Sequence, residues 1–149
     1  MKKTAKTLLM LIMLLVATLA FSSCSDDGKF DKNDKMTLVV AEEEAKVFEI
    51  PLADFKKSDS LVSVLDYLKE EGKLDYEISG TFLTRVGDVK NEGNRYLYVF
   101  TTVEADVDVS QYASTVQYGD MTITSSGVGA NEMHLENGAT IYIGTIVWE

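Results

Sequence analysis

His134 is the only histidine in the chain and Cys24 the only cysteine, so little conventional side-chain chemistry is on offer. A metal site would need partners for His134, and no second thiol exists to help. Ser–His or Cys–His catalysis would have to run through that one imidazole, and no nucleophile-elbow motif accompanies it. Carboxylates are plentiful, in runs such as Glu42-Glu43-Glu44 and Glu104-Ala105-Asp106-Val107-Asp108. Neither run has the oxygen-ligand spacing and central glycine of an EF-hand loop, so both read as solvated turns, and His134 reads as a partly exposed strand or loop residue. No metal ligands and no catalytic residues are assigned, no cofactor is required, and the protein is not expected to be an enzyme. Binding chemistry is better represented. Tyr96, Tyr98 and Phe100 alternate along one strand and form an aromatic stripe, which serves either as core packing or as a stacking platform for a flat or sugar-like ligand. Thr84 and Arg85 are candidates to flank that platform with hydrogen bonds, or are an ordinary strand end. The segment Thr124-Ser125-Ser126-Gly127-Val128-Gly129 is small and flexible, and lacks the Gly-Lys-Ser/Thr of a phosphate loop.

The environment of Cys24 says where such binding would take place. Lys2, Lys3 and Lys6 precede an apolar stretch from Leu8 to Phe21, interrupted only by Thr18, and Ser22-Ser23 lead into the cysteine. The stretch is shorter than the roughly 17–25 residues of a membrane span and has the layout of a secretory leader. Phe21-Ser22-Ser23-Cys24 resembles a lipobox, with Phe21 where leucine is usual. The expectation is a lipoprotein signal peptide over 1–23 and acyl chains (palmitate among them) on Cys24, which tie the protein to a membrane. Ser25-Asp26-Asp27-Gly28-Lys29 resembles the acidic signal that sends lipoproteins of the Bacteroides group to the outer face of the outer membrane. Lipid-anchored surface display follows as the expected localisation. Residues 24–35 are expected to be the lipidated cysteine and a flexible acidic tether.

The whole chain carries a net charge of −10, and three of its fourteen basic residues precede Cys24, so residues 24–149 carry −13. Such an acidic surface excludes nucleic acid as a natural partner and argues against peripheral attraction to anionic lipid. Residues 36–149 suit one domain.

The elements that must position the candidate residues follow from periodicity. Met36–Ala41 and Lys46–Ile50 read as two adjacent strands, the second ended by Pro51. Leu61, Val64, Leu65 and Leu68 form one apolar stripe at i, i+3, i+4 and i+7, predicting a helix over 61–71, with Ser58, Asp59 and Ser60 as possible N-caps and Gly72 as its stop. Leu74–Ile78 and Thr81–Val86 are extended runs, and Asn91–Asn94 is a turn. Arg95–Val103 is the strongest strand, apolar on both faces, and is expected to be central with the helix across one side. Residues 107–118 are irregular, Met121–Thr124 is a short strand, and Asn137-Gly138 turns into a last strand, Thr140–Trp148. The fold class is therefore α+β, a mainly antiparallel sheet with one helix packed across it, in a β-grasp-like plan.

A family resemblance rests on several of these segments. Tyr96-Leu97-Tyr98-Val99-Phe100 is followed by Gly129-Ala130-Asn131, by Asn137-Gly138-Ala139-Thr140-Ile141, and by an apolar strand closing on Trp148. Together with Val64-Leu65-Asp66-Tyr67-Leu68 and Gly80-Thr81-Phe82-Leu83-Thr84-Arg85-Val86, they resemble the C-terminal domain of transcobalamin and intrinsic factor, over roughly residues 36–149. Leu97 stands where the animal proteins have Trp, and their helical barrel, which holds the other face of cobalamin, has no counterpart here. The resemblance implies a small-molecule ligand of the cobalamin or corrinoid type. The candidate binding residues are Tyr96, Tyr98, Thr84, Arg85, Ser125, Ser126 and Val128. An outer-membrane transporter or another lipoprotein is the implied partner. The alternative is a structural or interaction lipoprotein that binds a protein or a glycan.

Overall fold

A computed structural model describes residues 28–148. Cys24, the leader and the first part of the tether lie outside the described residues. Among the described residues, nine strands, one α-helix and one 3-10 turn follow in chain order. Strands β1 (Lys35–Val40) and β2 (Lys46–Pro51) form an antiparallel pair, with Lys35 opposite Pro51 and Val40 opposite Lys46. Pro51 is the last residue of β2, where its missing N–H costs no ladder bond. Helix α1 (Leu61–Glu70) comes next, then a small antiparallel sheet of β3 (Tyr76–Ser79), β4 (Phe82–Val86) and β5 (Val89–Lys90). Strand β6 (Arg95–Thr101), the 3-10 turn Glu104–Asp106, β7 (Thr115–Tyr118), β8 (Met121–Ser125) and β9 (Thr140–Val147) complete the chain.

The main sheet has the order β2-β1-β9-β6-β8-β7. The last strand enters between the first and the sixth, parallel to β1 and antiparallel to β6. Every other pairing is antiparallel, so the protein is α+β with a mixed main sheet. The turn before β9 fixes that entry: Gly138 has φ +78°, its N–H donates to Lys35 C=O, and Asn137 Oδ1 accepts from Lys35 N–H at 3.1 Å. Glycine suits this left-handed conformation because it has no Cβ to clash.

Strand alternation sets the two faces. Met36, Leu38 and Val40 join Ile141 and Ile143 on one face, and Leu61, Val64, Leu65 and Leu68 of α1 pack into the same buried cluster. The helix begins at Ser60, whose N–H donates to Ser63 Oγ at 3.3 Å. It stops at Gly72 (φ +66°), where Lys73 N–H reaches back to Leu68 C=O at 2.9 Å. Contacts extend upstream of β1, where Phe30 packs on the core and Leu52 N–H donates to Asp34 C=O at 2.9 Å.

Leu97 and Val99 of β6 pack against the same core cluster that holds the α1 leucines. Beside its sheet partners β9 and β8, strand β6 also meets β4 and β5 of the small sheet. A ten-residue helix is about 15 Å long, whereas six strands at about 4.8 Å spacing span roughly 24 Å. One helix cannot span that width, and the small sheet adds to the cover. On the opposite face Phe100 is buried among aromatic rings, with centroids 6.1 Å from Tyr98 and 5.9 Å from Tyr142, and Tyr118 lies 6.1 Å beyond Tyr142.

Candidate functional site: a cleft along strand β6

Because the small sheet covers β6 only in part, a cleft of about 600 Å³ opens beside the strand. Leu97 and Val99 line it together with Tyr96 and Tyr98. One wall is the β3–β4 turn, which presents Phe82, a residue left 74% exposed. The other wall is the stretch Ser126–Ala130. Trp148, 47% exposed, closes one end, held there by its N–H donating to Asn94 C=O at 3.1 Å. Asn91, Asp108, Thr81 and Ser126 supply the polar atoms of an otherwise apolar lining.

The two walls meet where glycine allows it. Ala130 N–H donates to Thr81 C=O at 3.1 Å. A Cβ on Gly129 would stand 2.7 Å from Thr81 Cβ, so any larger residue would push the β3–β4 turn away. Ser126 stiffens the second wall: its Oγ donates to Val128 C=O at 3.0 Å and accepts from Val128 N–H at 3.2 Å.

The residues singled out in the sequence are divided by this geometry. Tyr96, Tyr98, Ser126 and Val128 line the cleft. Thr84 and Arg85 lie on β4 away from it, and Arg85 is engaged with Asp75 at 2.6 Å and Glu77 at 3.1 Å. Ser125 is buried, with its Oγ accepting from Ser114 N–H at 3.0 Å. Phe82, Trp148, Asn91 and Asp108 were not anticipated. An aromatic in a turn beside a glycine, as in Gly80-Thr81-Phe82, was the one local signal that could have flagged Phe82.

Two carboxylates expected to be solvated are not. Asp106 is 1% exposed and holds His134 twice, its Oδ2 accepting the backbone N–H and its Oδ1 meeting Nδ1, each at 2.6 Å. Its backbone C=O also accepts from Gly127 N–H at 2.9 Å. The 3-10 turn is thereby tied to the cleft wall. The Glu42 side chain is 6% exposed, bridging Lys46 at 2.7 Å and Asp88 N–H at 2.9 Å. Burial pushes its carboxyl up, but Lys46 and the Asp88 N–H outweigh burial and leave it below the ordinary value. Folding brings these partners together from 28 and 46 residues apart, which no local pattern announces.

On the small sheet, hydrogen bonds from Lys69 and then Arg85 hold Asp75 well below the usual carboxylate range. The Tyr76 phenol is pushed up to about 12 by burial and by its 2.6 Å hydrogen bond to Asp66. A folded-state value above the unfolded 10 means that the phenol's contribution to stability is complete below pH 10 and is lost as pH rises from 10 to about 12. Ultraviolet titration should therefore show a tyrosine step near pH 12 that Asp66→Asn moves down; an unchanged curve would refute the coupling.

No family model and no curated protein matches the chain. Among solved structures, it is similar to a Ruminococcus gnavus ATCC 29149 protein provisionally named for metal binding. That likeness has 15% identity and a TM-score of 0.47, and covers 78% of this chain and all of the other.

Proposed function

We propose that this protein is a surface-anchored lipoprotein whose domain is a non-catalytic binding module, with the β6 cleft as its ligand site. The observation that supports this reading is the character of the cleft: apolar and aromatic, with a few convergent polar groups. The first ligand to test is cobalamin or a related corrinoid, motivated by the transcobalamin-like segments and a β-grasp-like reading of the α+β fold. Tyr96, Tyr98, Phe82 and Trp148 would supply aromatic contact area, and Ser126 and Asn91 hydrogen bonds. A partner lipoprotein or outer-membrane transporter would complete the site or receive the ligand. Titration of the purified protein with cyanocobalamin, followed by visible absorbance and heat, should give saturable binding that Trp148→Ala weakens. No binding at ~100 µM, a weak-affinity ceiling, removes corrinoid capture.

The anchor is tested separately. Cells fed a labelled palmitate analogue should label the protein, and Cys24→Ser should abolish the label. Protease shaving of intact cells should cleave the domain; its survival while a known surface protein is cut would place it on the inner face.

A protein or glycan partner is the second reading, favoured by the partly unpaired edge of β6 within the same cleft.

A further inference from the structure

Strand β6 loses its neighbour halfway along. Phe100 and Thr101 pair with Ser125 and Thr124, and Ser126 N–H donating to Val99 C=O at 2.8 Å is the last rung. The chain then leaves, with Gly127 N–H turning to Asp106 C=O at 2.9 Å. Further back, Leu97 N–H is taken by Asn91 Oδ1 at 2.7 Å, a side-chain amide standing in for a strand. The N–H and C=O of one strand residue point to the same side. Leu97 C=O and Val99 N–H therefore lie on this same edge, away from β9. Among the described residues neither has a hydrogen-bond partner. Both residues line the cleft, so a donor and an acceptor of the main chain stand side by side within an apolar site. Such groups form a template for an added strand.

We propose that the β6 edge between Leu97 and Val99 takes an extended peptide, which adds as a short extra strand in the cleft. One residue of a strand parallel to β6 satisfies both groups: its N–H donates to Leu97 C=O, and its C=O accepts from Val99 N–H. Alternate side chains of that peptide would meet the apolar lining at Phe82 and Val128. Asp108 is the one charged residue of the lining, so a lysine or arginine in the peptide is favoured over an acidic residue. This inference does not rest on the corrinoid reading.

The test is selection of randomised, phage-displayed heptapeptides on the full-length protein. Enriched sequences should carry a basic residue. A saturating synthetic peptide should slow hydrogen exchange at the Val99 amide by at least tenfold. N-methylation of the residue that bonds Leu97 should weaken binding about tenfold, methylation of its neighbours much less. Asp108→Asn should cost basic peptides several-fold in affinity and leave neutral ones unchanged. No enrichment, unaltered exchange at Val99, or indifference to N-methylation overturns the proposal. Failure of cyanocobalamin to bind or to compete removes only the corrinoid reading.

Discussion

Asp106→Ala is expected to lower the unfolding free energy by about 2–4 kcal/mol. Two 2.6 Å interactions with His134 disappear together, and the His134 backbone N–H is left without its acceptor. Hydrogen bonds to charged groups contribute about 1.5–3 kcal/mol, and a stranded buried donor costs about 1–3 kcal/mol. Urea unfolding should show a lower midpoint at unchanged slope. Asp106→Asn, which keeps one acceptor oxygen, should recover part of the loss. His134→Ala should cost less than Asp106→Ala, because the His134 backbone N–H keeps its bond and the imidazole is 62% exposed. A loss below about 1 kcal/mol for Asp106→Ala would mean that the 3-10 turn is held by other contacts. Since Asp106 ties that turn to the Gly127 stretch, the variant should also loosen the cleft wall, read as faster amide exchange at Val128.

Leu65→Ala is expected to cost about 2–5 kcal/mol, the range for removing a leucine side chain from a packed core. Leu65 is fully buried, in one cluster with Leu38, Ile141 and Ile143. Domains are stable by only about 5–15 kcal/mol, so this change consumes a large share of the total. Val62→Ala is the contrast: Val62 lies on the same helix and is only partly buried. It should cost distinctly less, and comparable losses from both in urea unfolding would contradict the single buried stripe. A Leu65→Met variant, close in volume, should cost under about 1.5 kcal/mol, which ties the alanine loss to the cavity, since alanine is itself the strongest helix former.

Much of the framework was legible in the chain. The helix, its glycine stop, the first two strands, β6 and β9 followed from apolar periods and turn residues, which act between neighbours in sequence. Tyr96, Tyr98, Ser126 and Val128, which line the cleft, come from segments with local patterns of their own, an aromatic strand and a small-residue loop. Thr84 and Arg85 lie on β4, where Arg85 turns to the carboxylates of Asp75 and Glu77, partners that only the fold sets. The acidic runs were read by composition, which cannot tell a solvated carboxylate from one folded against a donor.

The sequence by itself determined the helix and the principal strands, the apolar stripe that must be buried, and a supply of one histidine and one cysteine. Those are local or additive properties. Tertiary structure alone decided that β9 inserts between β1 and β6, because strand order depends on pairing energies between distant segments. It also decided that the small sheet flanks β6. That arrangement leaves Leu97 and Val99 at a half-paired edge and brings Phe82, Asn91, Asp108 and Trp148 around them.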